Sequence, residues 1–256
     1  MAQNSTIEWT EATWNPVAGC TILSPGCTNC YAMRLAYRLD AIGQPKYQGL
    51  TRKTGGRAKW TGKIHLDEAA LEIPKKWRRG RTIFVNSMSD LFHDDVPLEF
   101  IGRVFEVMAD TQHHTYQVLT KRAERLEGLG DCLEWPQNVW MGVSIENAAY
   151  AWRTTHLVRT RAAVKFLSLE PLLGPLNGMD LTGIDWVIAG GESGPGARAV
   201  DPNWIRSIRD QCREQNVAFH FKQWGGVNKK RTGRTLDGRV WNELPSRQDT
   251  QVVLPA

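Results

Sequence analysis

The sequence predicts an α/β fold, a partial (β/α) barrel of six or seven units. Three observations predict it. Six short apolar, β-branched runs recur at fairly even spacing and read as strands buried on both faces. Helical patterns separate most of them, as right-handed βαβ units require. Polar residues gather just after nearly every run, where a barrel of parallel strands carries its active site. Fewer than eight strands leave such a barrel open. An open doubly wound parallel sheet is the alternative.

In chain order, a first strand spans about Thr13 to Ala18, just before Cys20. The six stronger runs are 82–86, 116–119, 139–143, 164–168, 185–189 and 217–221. Helical patterns cover about 98–110, 122–129, 147–160 and 203–215, and a shorter segment, about 175–182, links the strands near 166 and 187. Asn203 or Pro202 begins one helix and Glu146-Asn147 another, as capping chemistry expects. The stretch 42–62 is rich in Gly, Lys and Arg, lacks periodicity, and reads as a long loop within a basic insertion near 42–81. From about 226 the chain reads as irregular. No repeat and no linker divides it, so one domain over 1–256 is expected.

With 41% hydrophobic and 23% charged residues, the chain can build a sizeable core. It has no run of about eighteen apolar residues, so no membrane span is expected. Its N-terminus lacks the basic-then-apolar pattern of a secretory signal, which makes a cytoplasmic, reducing compartment the default. Five cysteines are present, three of them within eleven residues, with Cys132 and Cys212 far away. Such a set reads as metal ligation rather than a disulfide framework. The net charge of +5 is uneven. Lys46 to Arg81 holds eleven Lys/Arg against three acids, and Lys222 to Arg239 holds six against one. These stretches read either as solvated loops or as a phosphate-binding rim, with Trp60 and Trp77 placed to stack on bases.

The strongest local signal is Gly19-Cys20-Thr21-Ile22-Leu23-Ser24-Pro25-Gly26-Cys27-Thr28-Asn29-Cys30, with spacing C-x6-C-x2-C. It follows the first strand and opens into a helical run to about Leu39. Three thiolates can hold three irons of a [4Fe–4S] cluster and leave the fourth iron open to a small ligand. Zinc is the competing reading, and it asks for a fourth ligand, which His65 or His93 could bring from a distance.

A three-cysteine loop after the first strand of a partial barrel resembles the radical S-adenosylmethionine (SAM) superfamily. The resemblance implies a [4Fe–4S] cluster on Cys20, Cys27 and Cys30, with SAM chelated by the remaining iron. It also implies reductive cleavage of SAM to a 5′-deoxyadenosyl radical, hydrogen abstraction from a substrate, and an electron donor such as flavodoxin or ferredoxin. More closely, the motifs resemble an uncharacterised phage and bacterial three-cysteine family. They are Trp14-Asn15-Pro16, the cysteine loop, Ser87 to Phe92, Leu119 to Arg122, Gly142-Val143-Ser144, Ser168 to Pro171, Gly190 to Gly194 and Lys222 to Gly225. The superfamily's usual first gap is three residues, and here it is six. Its Gly-Gly-Glu segment follows the second strand, whereas Gly190-Gly191-Glu192 follows a late one.

On that resemblance, Ser87, Ser89 and Asp90 are the candidates for the SAM amino group, by their position after the second strand. Lys121, with Arg122, can neutralise the SAM carboxylate or a substrate phosphate. Glu146 or Glu170 can accept from ribose hydroxyls, and Gly190 and Gly191 allow close backbone approach to a ligand. Ser144 lies on the same rim, and Lys121, Glu170 and Glu192 are the catalytic candidates. The expected activity is radical SAM chemistry on a nucleic acid or nucleotide, whose bases must leave a duplex to reach a barrel mouth. The alternative is a non-enzymatic nucleic-acid-binding protein stabilised by zinc or a cluster.

Overall fold

The computed structural model describes residue 5 and residues 7–245; the end of the tail expected to be irregular lies outside them. Seven strands form the central sheet: β1 (Ala12–Trp14), β2 (Thr82–Val85), β3 (Thr115–Thr120), β4 (Val139–Ser144), β5 (Val164–Leu169), β6 (Trp186–Gly190) and β7 (Ala218–Gln223). Every neighbouring pair is parallel, and the spatial order is the chain order. A doubly wound sheet reverses its strand order at a switch point. This sheet never reverses, so it is a parallel half-barrel, and the doubly wound alternative falls. The accompanying helices are α1 (Tyr31–Ala41), α2 (Leu98–Asp110), α3 (Ala123–Leu129), α4 (Arg153–Val158) and α5 (Pro202–Glu214).

Alternation along the strands sorts side chains onto two faces. Ile83, Val85, Tyr116, Val118, Met141, Val143, Leu167, Val187 and Phe219 pack with Phe100, Ile101, Val104, Phe105, Ile205 and Ile208 of α2 and α5. The concave face carries Phe84, Trp140, Phe166, Trp186 and Ile188, closed by Trp9 from the N-terminal segment. Trp9 meets Phe84 edge-on at 4.9 Å and Trp186 at 6.2 Å. Gly142 is glycine because Phe166 fills the space above it: a Cβ there would lie 2.5 Å from the ring. These aromatics fill the barrel's lower half and leave its polar end for chemistry.

Five expectations change, the first being the tail from about 226: Lys229–Thr232 is a short helix capped by Asn228, and Thr235–Leu236 pairs antiparallel with Arg239–Val240 around Asp237-Gly238. The first strand is shorter than 13–18: Pro16 cannot donate to a ladder, and Val17–Ala18 leaves the sheet to pair antiparallel with His65–Leu66. The segment 42–62 is not all loop. Thr51–Thr54 and Arg57–Trp60 form an antiparallel hairpin around Gly55-Gly56, both at positive φ. Gly-Gly between two short strands is a mirror-image turn signal. The helix expected over 147–160 splits into a turn at Ala148–Tyr150 and α4, as Arg153 is drawn inward to the Ser144 carbonyl. Residues 175–182 are irregular, interrupted by Pro175 and Gly178, and Gln211 of α5 and Gln215 just past its end hold their backbone.

The outer edge of β7 is covered by the segment 241–243, which pairs with it through Phe221 N–H to Trp241 O and Glu243 N–H to Phe219 O. Beneath that pairing, His220 is buried against Trp186. Burial, with the Arg234 and Lys222 charges, pushes its pKa down to about 4, while Glu8 works the other way. An unfolded chain takes up this proton below about pH 6.5, whereas the folded one resists until about pH 4. The stability that neutral His220 contributes is therefore lost as pH falls through that window, by about 2 kcal/mol between pH 7 and pH 5. Urea unfolding of His220→Phe should show a shallower loss over pH 7 to 5 than the wild type; an equal loss would assign the acid limb elsewhere.

Candidate functional site

The C-terminal strand ends converge on the cysteine loop. The loop turns through a short 3₁₀ segment, Pro25–Cys27, and ends with Cys30 capping α1. Cys20, Cys27 and Cys30 are half-buried, and none is in a disulfide. Burial pushes the Cys20 thiol up to about 12; Asp90 and the other two cysteines raise it further, against Arg122. Burial also raises Cys30, while amide donation from Met33 and Ala32, in the first turn of α1, stabilises its thiolate. Cys27 acts on both Cys20 and Cys30, so the three side chains are close neighbours, and deprotonation of Cys20 and Cys30 waits on a compensating positive centre. Among the described residues, no three His, Cys, Asp or Glu side chains converge as ligands of one ion, and neither His65 nor His93 completes such a group.

Three carboxylates from three strand ends clamp this loop. Glu146, after β4, has no solvent exposure. It accepts a short hydrogen bond from Ser24 Oγ inside the loop, meets Lys121 Nζ at 3.3 Å and meets Arg153 Nη1 at 3.1 Å. Gly26 passes directly over it, where a Cβ would collide with the carboxylate. Glu192, after β6, accepts from Asn29 Nδ2 at 2.9 Å and from Arg198 at 2.6 Å, and Arg198 also donates to Pro25 O at 2.9 Å. Burial works to raise the Glu192 pKa, but the Arg198 side chain and amide together with Asn29 hold it below the usual carboxylate range. Asp90, after β2, accepts from Thr120 Oγ1 at 2.7 Å, Phe92 N at 3.0 Å, Lys121 N at 3.1 Å and Arg122 Nη1 at 3.0 Å. Arg122 passes the restraint on to Thr21 Oγ1 at 2.5 Å.

The remaining predicted residues divide by what they touch. Ser87 Oγ donates to Asn15 Oδ1, Ser89 Oγ donates to Val17 O, and the Tyr31 hydroxyl donates to Ser87 O. All three tie the end of β2 to the N-terminal segment or to α1. Ser144 is buried, with its carbonyl taken by Arg153. Gly191 permits a backbone approach: a Cβ would stand 2.1 Å from Trp224 O. Its N–H goes to Gln223 O, so the glycine turn is zipped to the end of β7. Gly190 makes room for Glu170, whose Oε1 is buried without a hydrogen-bond partner while Oε2 accepts from Lys222 Nζ at 3.0 Å. Glu170, Lys121 and the thiols are thus the least committed reactive groups at the mouth.

The basic stretch expected to form one rim is divided. Arg57 donates to Asn29 Oδ1 at the cysteine loop, whereas Lys75 to Arg81 run into the first residue of β2, at the opposite end of the sheet. Trp60 and Trp77 are buried, so neither presents a face to a base. A cavity of about 1250 Å³ also lies at that far end, among Trp135, Asn138, Trp140, Asp185 and Asn216. Sequence reasoning missed Ser24, Asn29, Arg153 and Arg198. Ser24 and Glu146 are 122 positions apart, and nothing local in the chain announces their contact.

Fold and site together define a half-barrel α/β protein whose strand ends hold a three-thiol loop. Residues 4–245 match the model of a family described as a protein of unknown function (DUF5131), and the chain belongs to that family. No curated protein and no solved structure matches it.

Removing one partner of a buried ion pair strands the other charge, at about 3–5 kcal/mol. Glu146→Gln should therefore destabilise the protein by about 3 kcal/mol and expose residues 21–29 to proteolysis. Arg198→Ala, at a partly exposed pair, should cost about 1 kcal/mol. Equal, small effects from both variants in urea titrations would show that Glu146 does not anchor the loop.

Proposed function

We propose that the protein is an iron–sulfur enzyme of radical SAM type acting on a nucleic acid or nucleotide. The observation that carries this reading is the three-thiol loop at the C-terminal mouth of a parallel half-barrel. Each thiol of a [4Fe–4S] ligand set binds a different iron, so the set calls for neighbouring thiols rather than convergence on one ion. Cys20, Cys27 and Cys30 fit that demand in number and partial burial, with Cys27 near enough to act on both of the others. When bound, a reduced cluster supplies the electron, drawn from a flavodoxin or ferredoxin, for reductive cleavage of SAM and hydrogen abstraction from the substrate.

The chain's own residues then divide the work. Ser24 and Asn29, gripped by Glu146 and Glu192, fix the loop between the thiols. Lys121, partly exposed beside Glu146, is the cation available to the SAM carboxylate. Glu170 Oε1 is the free acceptor for a ribose hydroxyl or an ammonium. Asp90, saturated by four donors, holds Arg122 and the loop rather than a ligand. Trp9 and the aromatics beneath it wall the lower barrel off from water.

Anaerobically reconstituted protein should be brown and hold about four irons per chain. Ala at Cys20, Cys27 or Cys30 should abolish this, while Cys132→Ala and Cys212→Ala should not. SAM should perturb the reduced cluster's paramagnetic spectrum, and Glu170→Gln should weaken that response without loss of iron. Stoichiometric zinc with no iron would instead favour a metal-stabilised binding protein, and a spectrum unmoved by saturating SAM would leave a plain iron–sulfur protein.

A further inference from the structure

We infer that the hairpin Thr51–Trp60 is a nucleic-acid-gripping ribbon that holds a polynucleotide beside the cysteine loop. The inference rests on the nucleic-acid reading of the site and adds the surface that would bind the backbone.

Between Asp40 and Asp67 the chain holds six cations and no acid. Register sets Arg52 directly opposite Lys59, and two positions nearer the tip, on the same face, Arg57 opposite Thr54. Like charges facing across a strand pair destabilise it, so this arrangement works against folding of the ribbon. Elsewhere unpaired exposed cations also occur, as at Lys76, Arg78, Arg79, Lys230 and Arg231, but none of these faces a like charge across a strand pair, and many others have found carboxylates. Arg103 pairs with Glu68, Arg206 and Arg209 with Asp237, Arg161 with Asp131 and Lys229 with Glu8. Among the described residues, Arg52, Lys53, Lys59 and Lys63 are exposed and have no carboxylate partner. Counter-charge supplied from outside, by phosphates, would relieve the repulsion.

The ribbon is anchored rather than loose. Trp60 packs with Tyr47, Leu50, Met33 and Ala36 against α1, and Thr61 donates to Gly49 and Leu50 carbonyls. Near its tip, Arg57 reaches Asn29 between Cys27 and Cys30. Arg34 of α1, also without a carboxylate partner, reaches Pro195 O on the facing rim. A polynucleotide along the ribbon therefore runs toward the thiols. A two-stranded ribbon also matches the width of a major groove, while a single strand would bring bases past the exposed ring of Tyr31.

The test is a salt titration of a fluorescent single-stranded oligonucleotide, and of a duplex of the same length, on full-length protein. The variants are Arg52→Gln/Lys53→Gln/Lys59→Gln, which spares Arg57, and Lys76→Gln/Arg78→Gln/Arg79→Gln at the far end of the sheet. Each lost phosphate contact removes about 0.9 from the slope of log K against log salt for duplex and about 0.7 for single strands. The ribbon variant should lower the slope by about 2 and weaken binding at 50 mM salt by about tenfold or more. It should melt no lower than wild type, because repulsion has been removed, and the far-end variant should bind like wild type. No binding by either probe at about 50 mM salt, or equal effects from the two variants, overturns the inference. The titration reads binding and not iron, so failure here leaves the cluster reading standing, and a cluster-free protein leaves the ribbon effect measurable.

Discussion

Glu146 has no contact with solvent, and Ser24, Lys121 and Arg153 converge on its two oxygens. A carboxylate so placed is tolerable only if it is fully paired, because an isolated buried charge costs far more than any packing around it returns. The arrangement therefore binds three separate pieces of the chain into one unit: the cysteine loop, the end of β3 and the start of α4. Gly26 must stay without a side chain for the loop to cross the carboxylate at all. Much of the mouth depends on this one anionic anchor.

Glu192 and Asp90 repeat the device from other strand ends, so the loop is held on three sides by charge-assisted hydrogen bonds. Such bonds are roughly twice as strong as neutral ones and directional. They suit a segment that must keep three thiols in place without a hydrophobic core of its own; Ile22 and Leu23 within it are exposed. The same hydrogen bonds occupy all three carboxylates in this structure. Glu170 keeps one oxygen without a partner, and Lys121, while it meets Glu146, stays partly exposed at the rim.

The two ends of the half-barrel also differ in kind. Below, Trp9, Phe84, Trp140, Phe166 and Trp186 interlock as an aromatic plug. Above, polar groups and half-buried thiols lie beside an unneutralised cationic ribbon. Parallel pairing throughout the sheet produces this asymmetry, because it puts all seven C-terminal strand ends on one side.

The strand runs, most helices and the cysteine loop were legible in the sequence, because periodicity, capping and spacing are local properties of a chain. Six runs of β-branched and apolar residues became β2 to β7 with ends moved by a residue or two. The Gly55-Gly56 turn was equally local, though its hairpin was hidden by strands too short and too charged to show alternation. Only the tertiary structure decided what the rim residues do. Asp90, Glu146 and Glu192 look alike in sequence, as acids after strands, but each is consumed by partners brought from distant positions. Trp60 and Trp77 sit among cations in the sequence yet are buried, and Lys75 to Arg81 lead into the opposite end of the sheet from Arg57. Partnering and burial depend on which segments fold together, and that is set by the winding of the whole sheet rather than by any stretch of residues within it.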